Sequence, residues 1–479
     1  MKWTNWFRYG FLLMFLWFFN PLNAQYEIFS QYGNLDDCDT MSRGIYLIWW
    51  DNNSDFSDDA DIMLDKMLGY RENCLNDLNM QDPPNPQNGY FYNVYIHNGN
   101  DIFPDWWGNG QGTDINGMPY LTLPVGAHTD WVNVAHETFH IFQYNANAPG
   151  FSYSGDSQWY IEASANWFAA LENEGEDRAF VEAESLVRLP QVPLWLSFDN
   201  FPFYYPENWQ RYVHQYALAL LLYYLTEEAD VPREAITEGM YSGTEMMPQE
   251  YYFNYLGDAV FRQHFLDWAA HMLNDFDFLL PNQVTTLLNE WDDYADPADD
   301  NKFTFTYLNN SENEWYRPQN SKVTRAWSFN TYRLLNEIDE NYRFTLNADE
   351  FGSEGDLAFF DCKLMVFNEE TGTSFYDFEM DNALQGSLSV PLTSADTEVY
   401  FIVASMPKIF EGVDQRFSYE IFVEKGVEIV NTNLESATPV KRNIVARYDV
   451  YGREINADYK GIQVVLYSDG AYEKIFVVN

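Results

Sequence analysis

The 479-residue sequence is short of positive charge. Its 26 Lys and Arg residues stand against 73 Asp and Glu residues, which gives a formal net charge of −47. A field of this sign repels nucleic acid and anionic membrane surfaces, so we expect no nucleic-acid partner. The same field attracts cations, although acidic residues can also serve solubility alone.

Cysteine is scarce as well, with three residues in the chain. No CxxC pair occurs, which argues against a zinc site built from cysteines. Cys38 and Cys74 lie near each other in the sequence and could bridge in an oxidising compartment, whereas Cys362 lies far downstream. The sequence leaves both the bridged and the free state of Cys38 and Cys74 open.

Long apolar runs are also few, and the run at Tyr9–Phe19 is too short to span a bilayer. Lys2 and Arg8 give the preceding segment its positive charge, and Leu22–Ala24 resembles a cleavage site. These features are typical of a secretory signal peptide. We therefore predict a signal peptide over residues 1–24 and a mature chain without a transmembrane segment.

The rest of the chain is long enough for several domains. Residues 25–320 mix helical and strand patterns, whereas residues 321–426 carry short alternating strands separated by turn residues, as in a sandwich. A polar, proline-containing linker then leads into a strand-rich tail over residues 427–479. We predict an α+β domain with a small mixed sheet and a mostly helical half, then an all-β sandwich and a small β domain.

Hydrophobic periodicity places the individual elements. Pro124 near the end of the third strand favours a position at the sheet edge. The predicted strands are Gly44–Trp49, Tyr90–Ile96, Tyr120–Val125, Tyr342–Leu346, Lys363–Phe367, Ser387–Pro391, Glu398–Val403 and Tyr419–Val423. The predicted helices are Asp59–Leu78, Trp131–Tyr144, Gln158–Leu171, Gln210–Leu225 and Ala259–Met272.

The strongest chemical motif is HExxH at His136, Glu137 and His140, in a chain that has only seven histidines. Residues four apart project from one face of a helix, so both imidazoles can reach one zinc ion. Glu137 lies beside the metal, where its carboxylate can take a proton from the activated water and return it to the leaving amine. Thr129 or Asp130 could cap the start of this helix.

A catalytic zinc ion of this type has three protein ligands, so a third ligand is needed. The best candidate is Glu162, on a second helix whose small residues Ala163–Ala165 permit close packing. The alternative is that Glu162 is an ordinary surface glutamate. Other nearby carboxylates cluster beyond the end of the helix and are interpreted as solvated: Glu172, Glu174 and Glu176.

HExxH followed about twenty residues later by a glutamate on a second helix resembles the gluzincin metallopeptidases, the thermolysin-like class of zincins. The resemblance covers roughly residues 40–225. It implies zinc on His136, His140 and Glu162, with Glu137 as the catalytic base. It also implies that a protein or peptide substrate lies antiparallel to the edge strand before the first helix, a place that Tyr120–Val125 occupies.

Enzymes of this class use a tyrosine or histidine to stabilise the oxyanion. The segment that opens the helix after residue 210 offers Tyr212, His214 and Tyr216. Tyr212 and Tyr216 share a helix face, and Tyr216 is the preferred candidate. The alternative is that these rings only pack the helix.

Asn166 departs from the gluzincin pattern, because many of these enzymes carry aspartate there to orient a zinc histidine. A neutral amide polarises the imidazole less than a carboxylate does. Two alternatives to a peptidase therefore stay open. One is a surface protein that binds glycan or protein and retains a vestigial metal site. The other is a zinc hydrolase of a non-peptide substrate, since HExxH specifies activated water and not the acyl group.

Two acidic segments are candidates for calcium. Asp51–Asp59 departs from an EF-hand, because Phe56 replaces the required glycine and Ile62 the bidentate glutamate. A looser calcium site in this segment or in Asp292–Asp300 remains an alternative.

The tail also resembles a known family. Tyr448-Asp449-Val450-Tyr451-Gly452-Arg453 and Lys460-Gly461-Ile462 are similar to elements of the C-terminal sorting domain of type IX secretion cargo in Bacteroidetes. The resemblance implies a partner in the type IX secretion machinery and a location outside the cell or on the outer-membrane surface.

Overall fold

The computed structural model describes most of the chain from residue 26 onward. The described residues are 26–32, 35–82, 89–97, 109–174, 180, 183–199, 214–285, 287, 305–308, 315–319, 322–336, 339–348, 358–368, 370–412, 415–429, 444–448, 453, 455–456, 461–467 and 472–477. They form a mixed α/β region followed by β sheets. The predicted signal peptide lies outside them and stays a prediction.

A five-stranded mixed sheet opens the fold, in the order β1-β2-β3-β5-β4. β2 and β3 are buried along their whole length, which agrees with their nearly continuous apolar sequence. The two inner pairings, β2 with β3 and β3 with β5, are parallel. The strands are β1 Cys38–Arg43, β2 Tyr46–Asp51, β3 Tyr92–His97, β4 Asn109–Thr113 and β5 Pro119–Pro124.

The prediction that Tyr120–Val125 forms a sheet edge is wrong. β5 lies between β3 and β4, and β4 ends the sheet in the part of the chain that the structure describes. Pro124 is the last residue of β5, so its missing N–H removes no hydrogen bond from the middle of the ladder. The edge strand β4 could not be predicted from its sequence, Asn-Gly-Gln-Gly-Thr, because this segment has neither alternating apolar residues nor an enrichment in β-branched residues.

Four of the five predicted helices agree with the structure to within two residues at each end. The fifth prediction, Gln210–Leu225, is matched in its second half by Ala219–Glu227, and residues 210–213 lie outside the described part of the chain. Three helices of the structure were not among the predicted ones: Glu184–Arg188, Glu234–Ser242 and Pro248–Leu256. Helix α2, Trp131–Gln143, ends one residue before the predicted Tyr144, and helix α3, Gln158–Glu172, ends one residue after the predicted Leu171. α1 buries a stripe at helical spacing against the sheet: Ala60, Met63, Leu64, Met67, Tyr70 and Cys74. The helices are α1 Ser57–Asn76, α2 Trp131–Gln143, α3 Gln158–Glu172, α4 Glu184–Arg188, α5 Ala219–Glu227, α6 Glu234–Ser242, α7 Pro248–Leu256 and α8 Asp258–Leu273.

Two further sheets form a sandwich, with strand orders β11-β10-β14-β8-β6 and β12-β13-β9-β16. A short pair, β15 with β7, lies beside them. The strands are β6 Thr306–Leu308, β7 Thr324–Arg325, β8 Ser328–Leu334, β9 Glu340–Asn347, β10 Phe360–Asn368, β11 Gly372–Asp377, β12 Glu379–Asn382, β13 Gln385–Leu392, β14 Asp396–Ser405, β15 Arg416–Phe417 and β16 Glu420–Lys425.

The sandwich packs directly against the helices. Trp327, fully buried before β8, contacts Phe261 and Phe265 of α8, with ring centroids 4.9 and 5.6 Å apart. The guanidinium of Arg262 lies 3.6 Å from the ring centre of Phe359. Truncating one buried tryptophan costs about 3–5 kcal/mol, so this contact region contributes substantially to stability.

The chain divides into two compact units, residues 1–427 and 428–479, and the sandwich belongs to the first. The second contains a three-stranded antiparallel sheet of β17 Ile444–Tyr448, β18 Gly461–Tyr467 and β19 Tyr472–Val477. The predicted domain boundaries and the sorting role of the tail stay predictions. Within the described residues, no helix combines the length and the apolar character needed to cross a bilayer.

All three cysteines are free thiols, so the Cys38–Cys74 bridge is not formed. Cys74 faces the buried side of α1, whereas Cys38 begins the outer strand β1, opposite Asp51. Burial raises the pKa of the Cys74 thiol well above its ordinary value.

Candidate metal centre

The HExxH motif lies in the middle of α2. The Asp130 carboxylate caps the helix by accepting a hydrogen bond from the Asn133 N–H at 3.1 Å, as the sequence allowed. Residues 134–143 are all buried, because α2 packs between the sheet and α3. His136 and His140 face α3, which carries Glu162.

The structure brings His136, His140 and Glu162 together around one point. His136 Nε2 lies 3.0 Å from His140 Nε2 and 3.2 Å from Glu162 Oε2. His140 Nε2 lies 3.6 Å from the same carboxylate oxygen. All three side chains are buried, and among the described residues they form the one group of three acidic, histidine or cysteine side chains able to hold a metal ion. Glu162 is therefore not a surface glutamate.

Each imidazole is oriented by a neutral amide. Nδ1 of His136 lies 2.7 Å from Asn166 Oδ1, and Nδ1 of His140 lies 2.5 Å from Gln143 Oε1. Because an amide oxygen can only accept, both Nδ1 atoms donate and both Nε2 atoms are turned towards the common point. Asn166, four residues after Glu162, thus orients the His136 imidazole.

The group is strongly coupled electrostatically. Burial alone would raise the pKa of Glu162, but hydrogen bonds from His136 and His140 hold it well below its ordinary value. Burial alone would lower the pKa of His140, but the Glu162 carboxylate raises it to about 9. Without a metal ion, a proton therefore offsets the carboxylate charge, and a bound cation would displace that proton.

Glu137, the predicted base, is buried one position after His136, at 5% exposure. Burial raises the pKa of Tyr144, the residue that follows α2, and the Glu137 charge raises it further; the same charge adds to the effect of Glu162 on the pKa of His140. Glu137 therefore lies beside the three-residue group without belonging to it.

Two of the three predicted oxyanion donors can be placed. The Tyr216 ring lies 5.8 Å from the His136 ring, centroid to centroid, at an interplanar angle of 34°. His214 is buried elsewhere, with Nδ1 3.5 Å from Ser185 Oγ. Tyr212 lies outside the described residues. The preferred candidate Tyr216 is thus next to a candidate ligand, and its catalytic role stays a prediction.

Sequence reasoning missed Tyr153 and Tyr144. The Tyr153 hydroxyl donates a hydrogen bond to the Glu162 carboxylate, and desolvation around that hydroxyl together with the Glu162 charge raises the pKa of Tyr153. The Tyr144 hydroxyl accepts a hydrogen bond from the Gly112 N–H on β4. Tyr153 lies in an irregular loop that no periodicity marks, so no sequence signal pointed to it.

The calcium alternatives find no support. Among the described residues, no three acidic, histidine or cysteine side chains of Asp51–Asp59 come together as a group that could hold a metal ion. Asp292–Asp300 lies outside the described residues.

His214 should make the protein sensitive to acid. Burial lowers the pKa of His214 to about 4, against about 6.5 in an unfolded chain. The unfolded state therefore binds the proton more readily between these values, and stability falls as the pH drops through that window. We expect His214 to remove about 2 kcal/mol from the free energy of unfolding between pH 7 and pH 5.

Urea unfolding of the wild type and His214→Gln at both pH values checks this prediction. Between pH 7 and pH 5, the free energy of unfolding of the wild type should fall by about 2 kcal/mol more than that of the variant. Equal losses in the two proteins would contradict the assignment.

The fold and the site together define a protein with a buried His-His-Glu group that could hold a metal ion, between two helices and beside a mixed sheet. No protein-family model matches the sequence, and no curated protein matches it. A solved structure that does match contains the M60 catalytic domain with the CBM51-1 and CBM51-2 domains of Clostridium perfringens ZmpB. The match has 9% identity and a TM-score of 0.29 and covers 92% of this chain and 67% of that one. Similarity this weak carries no argument about function.

Proposed function

We propose that this protein is a zinc-dependent metallopeptidase that is secreted from its cell. The observation that carries the proposal is the convergence of His136 Nε2, His140 Nε2 and Glu162 Oε2 on one buried point, with the Glu137 carboxylate beside them. Two imidazoles and one carboxylate are the ligand set of a catalytic zinc site that leaves a coordination position open.

The donor atoms fit a tetrahedral ion. Ligands about 2.0–2.1 Å from zinc, at tetrahedral angles, lie roughly 3.4 Å from one another. The three separations here are 3.0, 3.2 and 3.6 Å. Both Nε2 atoms present lone pairs because both Nδ1 atoms donate to amides.

Zinc and the chain's own residues would each have a part in peptide hydrolysis. When bound, zinc would lower the pKa of a water molecule towards neutrality and polarise the substrate carbonyl. Glu137 accepts the proton of the attacking water and returns it to the leaving amine. Tyr216 beside His136 donates a hydrogen bond to the developing oxyanion, whereas the one O–H of Tyr153 is donated to the Glu162 carboxylate and holds that side chain. These two tyrosines flank different ligands, so separate Phe substitutions can tell their roles apart.

The outer strand β4 is the place we propose for an extended substrate. β4 ends the described sheet, and its Gly112 N–H bonds to Tyr144 at the end of the HExxH helix. A peptide added to β4 by main-chain hydrogen bonds would therefore run beside the helix that carries Glu137. We therefore propose β4 as the strand that binds the substrate, in place of the predicted Tyr120–Val125, which corresponds to β5.

The proposed location rests on the two ends of the sequence. Residues 1–24 have the pattern of a signal peptide. The tail resembles a type IX sorting domain, and its residues in the second compact unit include a three-stranded sheet. We propose export to the exterior or to the outer-membrane surface, with the type IX machinery as the partner.

Metal removal tests the function. We expect the purified protein to contain about one zinc ion per chain and to cleave casein or a peptide library. Dialysis against a chelator should abolish the cleavage, and added zinc should restore it. Stoichiometric zinc without cleavage of any peptide would overturn the peptidase proposal but not the metal centre. That result would agree with a vestigial metal site or with a hydrolase of another substrate.

A further inference from the structure

Gln143, three residues after His140 on α2, is the buried amide next to the His140 imidazole. It is 6% exposed, and its Oε1 accepts a hydrogen bond from His140 Nδ1 at 2.5 Å. A glutamine three residues along a helix is within side-chain reach of the histidine, so helix α2 itself supplies the contact.

The orientation of the Gln143 amide is fixed from the other side. Its Nε2 donates to Ile161 O and to Ser164 Oγ, both at 2.9 Å. The Ser164 hydroxyl donates in turn to Tyr160 O at 2.6 Å, so the serine oxygen is an acceptor towards Gln143. Since both amide donors of Gln143 are directed at α3, its oxygen must face His140.

This chain of hydrogen bonds decides the tautomer of His140. Facing an acceptor, Nδ1 must carry the proton, which leaves the lone pair of a neutral His140 on Nε2. The other imidazole has an equivalent partner, because His136 Nδ1 donates to Asn166 Oδ1. Asn166, the partner of His136, lies on α3. Gln143, the partner of His140, lies on α2 with the histidine and donates to Ile161 O on α3.

Gln143 also sets the spacing of the two ligand helices. Its two acceptors, Ile161 O and Ser164 Oγ, lie on either side of Glu162 in the sequence. The amide therefore ties α2 to the turn of α3 that carries the third candidate ligand. Movement of this turn would change the His140–Glu162 distance, which is 3.6 Å between Nε2 and Oε2.

We propose that Gln143 is a positioning residue of the metal centre, which selects the Nδ1-protonated form of His140 and holds Glu162 opposite it. This inference rests on the metal centre of the proposed function. The residue contacts neither the metal nor the substrate, so its effect is on metal affinity and on which nitrogen binds the metal.

The test compares Gln143→Met with Gln143→Glu. Methionine has a similar length but no amide, whereas glutamate keeps an acceptor for His140. We expect Gln143→Met to weaken zinc binding by about 10- to 100-fold, the usual cost of losing an outer partner. Gln143→Glu keeps the acceptor for His140 Nδ1 but loses the donor to Ile161 O and Ser164 Oγ, so it should regain only part of this loss. Competition with a chromophoric chelator measures the affinity.

A second measurement identifies the nitrogen of His140 that binds the metal. In the cadmium-loaded protein, coupling of the metal to the ¹⁵N-labelled imidazole should identify Nε2 as the ligand atom in the wild type. In Gln143→Met, the same coupling should show a mixture of Nε2 and Nδ1 coordination.

Two further variants keep the outcome interpretable. Gln283 is another buried glutamine, whose Oε1 accepts from the Leu280 N–H at 3.0 Å, and Gln283→Met should leave zinc affinity unchanged. If Gln143→Met does not fold, Ser164→Ala removes one of the two acceptors that orient the amide and should weaken zinc binding by a smaller factor. His140→Ala should lose zinc. Given that loss, a zinc affinity of Gln143→Met equal to that of the wild type overturns the inference. Where Gln143→Met does not fold, the same result in Ser164→Ala overturns it. Zinc retained by His140→Ala would instead overturn the metal centre itself.

Discussion

Replacing Glu137 with Gln is expected to lower kcat for peptide hydrolysis by about 10²- to 10⁴-fold, the usual contribution of a general acid–base group. The amide has nearly the same shape but cannot accept the proton of the attacking water. The zinc content should not change, because Glu137 stands outside the ligand group. Casein cleavage and metal analysis of the same preparation measure both effects.

Glu172→Gln is the matched control for this prediction. Glu172 is a partly buried carboxylate at the end of α3, bonded by Asn73 Nδ2 at 2.7 Å and remote from the ligand group. This variant should cleave casein at the wild-type rate. A Glu137→Gln enzyme as active as the wild type would show that another group is the base, even if zinc is present.

Removing a ligand should have the largest effect on the metal. We expect His140→Ala and Glu162→Gln each to weaken zinc binding by more than the roughly 10- to 100-fold cost of losing an outer partner, because a ligand itself is lost. Both should purify with little zinc and cleave no casein. Glu162→Gln also removes the charge that raises the pKa of His140, so His140 should titrate at a lower pH in that metal-free variant.

His264→Ala is the control for these ligand variants, since His264 lies on α8, outside the ligand group. It should keep its zinc. Unchanged zinc content in His140→Ala would show that the metal, if present, binds elsewhere.

The helices that carry the ligands were predictable because their signals are local. The capped, periodic segment around His136 and His140 became α2, within one residue of the predicted end. The small residues that follow Glu162 indicated close packing, and α3 packs against α2 there. The edge strand was not predictable, because the Gly-rich β4 is a strand only through its pairing with β5.

The sequence by itself determined that two histidines four residues apart face one side of a helix, since helical geometry alone requires it. Only the tertiary structure decided that Glu162, and not one of the later glutamates, meets them, because that contact depends on how two helices pack. It also decided that Asn166 and Gln143 orient the imidazoles and that Tyr153 contacts Glu162. Hydrogen bonds between side chains distant in sequence follow from packing, which periodicity does not encode.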